Sequence, residues 1–169
     1  MEGLIQVGLG ELRVAANSEV ILACYGLGSC VGVAIYCPVN RVGALAHVML
    51  PTCALAHQPL KKAKYADSAI PDMLEQMERM GAQRRLVVAK IVGGARMFSM
   101  PGRRGREGEM GYRLQVGERN VEAVKSTLKR LKINLAGEDT GGDYGRTIRF
   151  ALSDGSVLVS SVRHGVKKL

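Results

Sequence analysis

The chain of 169 residues is 47% hydrophobic and 23% charged. That balance excludes a disordered polymer and suits one domain over residues 1–169 with a substantial core. Its 24 Lys and Arg against 15 Asp and Glu leave a net charge of +9, a field that favours acidic partners. With 4% aromatics and no Trp, a base-stacking platform is not available, so nucleic acid is not an expected partner. No hydrophobic leader precedes the first strand, and no apolar run approaches the roughly 18 residues of a membrane span. A cytoplasmic protein without membrane insertion is expected.

In chain order, residues 4–8 and 12–15 read as short strands around the turn Gly8-Leu9-Gly10-Glu11, and Val20 to Cys24 reads as another. Gly26-Leu27-Gly28-Ser29 is a glycine-punctuated turn that delivers Cys30 to the apolar run Val31 to Tyr36. It lacks the Gly-Lys-Ser/Thr ending of a phosphate loop. Pro38, Asn40 and Gly43 break the pattern, and Ala44 to Leu50 forms a second apolar run carrying His47 as its one polar residue. Two such runs joined by a short loop pair as an antiparallel hairpin. A turn centred between Pro38 and Val39 sets Cys30 directly opposite His47. A turn centred one residue later leaves them diagonal on the same face, about 7–8 Å apart. Either register gives a thiol and an imidazole a route to contact, the minimum for a cysteine nucleophile with a base.

Residues 52–64 read as an exposed loop. A helix follows, capped by Asp67 or Ser68, with Pro71 in its first turn, Met73, Leu74, Met77 and Met80 on its inner face and Gly81 as terminator. Leu86 to Val92 is a strand, and residues 99–113, rich in Gly and Arg, are expected to form a loop. A second helix runs from Glu118 or Arg119 to Lys132, burying Val121, Val124, Leu128 and Leu131. Ile133 to Ala136 is a strand, and Thr147 to Leu152 with Val157 to Arg163 forms a closing hairpin. The fold class is therefore α/β in the broad sense, of α+β type, with largely antiparallel sheets packed together and flanked by helices. The cysteines Cys24, Cys30, Cys37 and Cys53 contain no CxxC pair, so neither a zinc site nor, without a secretory signal, a disulfide framework is expected. Cys37 and Cys53 read as small hydrophobes.

The string GLGSC at 26–30 and AHVMLP at 46–51 stand with KYADSAI at 64–70, KIVGGARMF at 90–98, VGERNVEAV at 116–124 and EDTGG at 138–142. In that order and over most of the chain, they resemble the CheD family of chemoreceptor glutamine deamidases. The resemblance implies packed sheets flanked by helices, akin to the catalytic domain of the cytotoxic necrotizing factor toxins. It implies hydrolysis of glutamine side chains on methyl-accepting chemoreceptors to glutamate and ammonia, with no cofactor or metal. It also implies Cys30 as nucleophile and His47 as base; the glycine-rich turn before Cys30, at Gly28 and Ser29, can present the N–H of Ser29 or Cys30 to the oxyanion, with Gly28 allowing close backbone approach. The family carries Thr six residues before its nucleophile to orient the imidazole; here that position is Cys24. A further implied partner is a CheC-type phosphatase of the response regulator CheY. A weakly active or inactive member regulating such a phosphatase is the alternative reading.

Overall fold

A computed structural model describes residues 3–97 and 116–169; the loop expected at 99–113 lies outside the described residues. Five strands form a central sheet in the order β2-β5-β4-β6-β7, comprising β2 (Leu12–Ala15), β5 (Val42–Val48), β4 (Val31–Cys37), β6 (Val88–Gly93) and β7 (Asn134–Thr140). Five more form an outer sheet in the order β1-β3-β8-β9-β10, comprising β1 (Gly3–Gln6), β3 (Val20–Leu27), β8 (Arg146–Ala151), β9 (Val157–Ser161) and β10 (Gly165–Lys168). Helices α1 (Ala66–Arg79) and α2 (Val116–Arg130) pack on the far side of the central sheet.

This layering explains why β4 and β5 are continuous apolar runs: every residue in them is buried, because both faces of the central sheet are covered. Val31, Val33, Ile35, Ala44, Ala46 and Val48 face the helices together with Met73, Met77 and Leu128. Ala34, Tyr36 and Leu45 face the outer sheet with Leu22, Ile148 and Phe150. The sheets are largely antiparallel as expected, with two parallel pairs, β1 with β3 and β6 with β7.

Several element boundaries differ from the sequence expectation for local reasons. The first two strands do not pair with each other: β1 joins the outer sheet beside β3 and β2 joins the central sheet beside β5. The chain between them crosses from one layer to the other. Helix α1 starts at Ala66, behind Tyr65, with no side-chain cap. The Ala66 N–H instead donates to Leu50 O at 2.9 Å. The Asp67 carboxylate is spent on Thr52 Oγ1 and the Cys53 N–H, and Ser68 Oγ donates to Lys62 O. Pro71 consequently falls in the second turn, where the helix forgoes one hydrogen bond. The closing hairpin stops at Ser161, and a further strand, β10, turns back along β9. Its residues are exposed throughout, so no apolar alternation marked it.

Candidate active site

The turn Gly28-Ser29-Cys30 carries the chain from β3 in the outer sheet to β4 in the central sheet. Its three carbonyls are all taken by other elements. Ala95 N–H donates to Gly28 O and Gly94 N–H to Cys30 O, both at 2.8 Å, and Asn120 Nδ2 of α2 donates to Ser29 O at 3.0 Å. The strap is so close that a Cβ on Gly93 (φ 117°) would lie 2.2 Å from Cys30 O. A Cβ on Gly28 would lie 2.9 Å from Met97 Cγ. The N–H groups of Ser29 and Cys30 donate to no other residue among those described. The turn is thus fixed through its acceptors while its donors stay available, the arrangement an oxyanion requires.

His47 lies on β5 directly across from Gly32 of β4. The hairpin turn is therefore centred between Val39 and Asn40, the later of the two expected registers. One step along the same ladder places Cys30 diagonal to His47, on the face turned to the outer sheet. Ile148 Cδ1 and Leu27 Cδ1 occupy the space a side chain at Gly32 would need, 2.7 and 3.1 Å from its ideal Cβ. His47 is 2% exposed. Its Nδ1 lies 3.4 Å from Val7 O, and a carbonyl can only accept, so Nδ1 carries the proton. Nε2 is left with its lone pair, buried and without a hydrogen-bond partner among the described residues. Such a nitrogen is a base waiting for a donor, and thiol–base contacts commonly tighten only when substrate arrives.

Burial pushes the Cys30 thiol above the ordinary cysteine value, partly offset by its own backbone N–H. Burial likewise lowers His47, partly offset by the Val7 carbonyl. At neutral pH the pair is therefore a thiol and a neutral imidazole rather than a preformed ion pair. Cys24, on β3 and fully buried, is pushed up to about 12, chiefly by burial and secondarily by the nearby Cys30. It stays a thiol at every working pH and does not compete as a nucleophile. Among the described residues, no group of three or more His, Cys, Asp or Glu side chains is placed to hold a metal ion. An open cleft of about 630 Å³ is lined by Gly26, Met97, Tyr144 and Arg146 among others, and by none of Gly28, Ser29, Cys30 and His47.

The model of the family described as "CheD chemotactic sensory transduction" matches residues 49–161. A protein of Archaeoglobus fulgidus named "Probable chemoreceptor glutamine deamidase CheD" is 45% identical over 161 residues, covering 95% of each chain. One of Symbiobacterium thermophilum with the same name is 43% identical over 164 residues, covering 96% of this chain and 95% of the relative. This chain belongs to the CheD family. Its fold also aligns with a crystal structure of a Neisseria meningitidis protein of the family DUF152, at TM-score 0.43 and 12% identity, over 78% of this chain and 51% of that one. The family model begins at residue 49, beyond Cys30 and His47, whereas the relatives extend over nearly the whole chain.

Of the residues expected in this CheD-family site, the structure brings Cys30, Gly28 and Ser29 into one strapped turn and sets His47 on the same face. Among the described residues the ring's hydrogen-bond partner is the carbonyl of Val7, and Cys24 packs in the apolar cluster between the sheets, near enough to Cys30 to feel its charge. Two participants escape the sequence reading. Val7 acts through its main chain, which leaves no residue signature. Asn120 does leave one: it sits four residues before Val124 and eight before Leu128, a polar residue in line with the buried stripe of α2.

No described helix is long and apolar enough to cross a membrane.

Proposed function

We propose that this chain deamidates glutamine side chains of chemoreceptors, with Cys30 as nucleophile and His47 as general base and acid. The observation that carries the reading is the buried Nε2 lone pair of His47, oriented through Nδ1 by Val7 O, one ladder step from the Cys30 turn. Near-full-length identity to relatives named as glutamine deamidases supports the substrate.

In this mechanism His47 Nε2 takes the thiol proton as Cys30 Sγ attacks the carboxamide carbon. The negative oxygen is received by the Ser29 and Cys30 N–H groups. Imidazolium returns the proton to the leaving nitrogen, so ammonia departs and a thioester remains. His47 then takes a proton from water, whose oxygen attacks the thioester carbonyl. Protonation of the departing sulfur restores the thiol and releases glutamate. The atoms balance with water as the only co-reactant. Incubation with a purified receptor cytoplasmic fragment, followed by mass spectrometry of its peptides, tests the activity. Glutamine-to-glutamate conversion is expected, and conversion no faster than in buffer overturns the reading.

The basic net charge fits an encounter with an acidic receptor surface, an effect that weakens as salt rises.

The direction of the His47 shift predicts the pH profile. The catalytic form needs neutral imidazole, and burial lowers its pKa below the ordinary value near 6.5. The acid limb of kcat/KM should therefore have its midpoint below 6.5, with no loss on going from neutral to mildly alkaline pH. A fall in rate between neutral and mildly alkaline pH would show a thiolate–imidazolium pair instead, because that form needs the imidazole protonated. A second prediction concerns Cys24. Because Val7 O already orients the ring, Cys24→Thr should leave kcat equal to or above that of the native chain, at a cost of about 1–3 kcal/mol for the added methyl in a filled core. A sharp fall in kcat would give Cys24 a required role.

A second reading, a binding module for CheC-type phosphatases, draws on the half-buried setting of Cys30, which raises its thiol above the ordinary value. It predicts a Cys30 inert to alkylation and no release of ammonia.

A further inference from the structure

Asn120 is fully buried on the inner face of α2, where a polar side chain must find partners for its amide. It finds them at two points of the hairpin. Its Nδ2 donates one N–H to Ser29 O and the other to Met49 O, each at 3.0 Å. Ser29 immediately precedes Cys30, and Met49 follows His47 by two residues. A single carboxamide therefore ties the entry of β4 to the exit of β5, on the far side of the sheet from the imidazole. The contact depends on α2 pressing close: a Cβ on Gly117 would lie 2.5 Å from Ala95 O and 2.7 Å from Gly94 O. Gly94 and Ala95 are themselves the donors that hold the carbonyls of Cys30 and Gly28. Asn120 Oδ1 is buried without a partner among the described residues. A buried amide that leaves its oxygen unsatisfied to aim both protons at these carbonyls is costly as mere packing, where an apolar residue would serve.

We infer that Asn120 is a positioning residue for the deamidation proposed above, a clamp that sets the separation of Cys30 from His47 and aims the Ser29–Cys30 N–H groups at the oxyanion. The inference rests on that reading of Cys30 and His47. A clamp of this kind acts on the chemical step, because a misplacement near 1 Å costs about 100-fold in rate while leaving distant contacts intact. Asn120→Ala should lower kcat by about 100-fold and leave KM within about twofold. Asn120→Ser, which keeps one donor in a smaller side chain, should fall between the two and is the more conservative change should Asn120→Ala fold poorly.

Two readouts separate a clamp from a structural prop and from failure of the deamidase reading. Alkylation of Cys30 by iodoacetamide needs no receptor, and its rate at neutral pH should drop about tenfold in Asn120→Ser, as base assistance from His47 is lost. In the native chain, labelled with ¹⁵N, both protons of the Asn120 side-chain amide should resist exchange with solvent. Unchanged kcat and alkylation in a folded variant, or rapid exchange of either amide proton in the native chain, overturns the clamp. Alkylation that slows as expected in a protein releasing no ammonia keeps the clamp and removes the deamidase.

Discussion

Cys30→Ala should lower conversion of receptor glutamine by about 10⁴-fold or more, to the level of reaction in buffer. The size of the effect follows from the covalent step. Without sulfur no thioester forms, and His47 is left to direct water at the amide itself, a far less reactive carbonyl than a thioester. Removing one half-buried sulfur leaves the turn anchored, because its straps run through carbonyl groups. The variant should therefore fold, with a melting temperature near that of the native chain and undiminished affinity for the receptor fragment. Mass spectrometry of the fragment gives the rate and calorimetry the binding. Conversion within about tenfold of the native rate would show that another group attacks.

His47→Ala should be nearly as damaging, with a loss of at least about 10³-fold, and the double variant with Cys30→Ala should be no worse than Cys30→Ala alone. In the proposed cycle the imidazole serves four proton transfers, from the thiol, to the leaving nitrogen, from water and back to sulfur, so its loss stops each step. Cys24, whose thiol feels the charge of Cys30, is held as a thiol by its burial. Truncation also leaves the Val7 carbonyl without its donor inside the protein, a penalty of about 1–3 kcal/mol in stability. His47→Gln fills more of the space and can still donate to Val7 O, so it should recover most of the stability and little of the rate. Full additivity of the two single losses would mean that Cys30 and His47 act independently, against the account.

What could be read from the sequence was the part that depends on alternation and turn chemistry. The runs at Val31 and Ala44 are apolar at every position but His47 because their sheet is covered twice, and the break at Pro38 to Gly43 fixed the pairing to within one residue. The observed register, Gly32 across from His47, was the later of the two. The division into two sheets was not legible, since a strand of four residues such as β1 or β2 carries no mark of the layer it joins. Nor was the orienter of the imidazole. A threonine position could be located by spacing, whereas the group that holds the ring is a main-chain carbonyl 40 residues away. Asn120 lay in plain view on a helical stripe, but its partners, Ser29 O and Met49 O, belong to chain segments that only the fold brings together.

The most direct test of the central claim, that Cys30 carries the acyl group, is rapid quenching of the native enzyme with a receptor fragment, followed by intact-mass analysis and peptide mapping. The account predicts a transient adduct of the fragment less ammonia on the peptide containing Cys30, diverted to glutamyl hydroxamate when hydroxylamine is present. Glutamate formed with no adduct and no hydroxamate, or an adduct on Cys24 or Cys53, would contradict it.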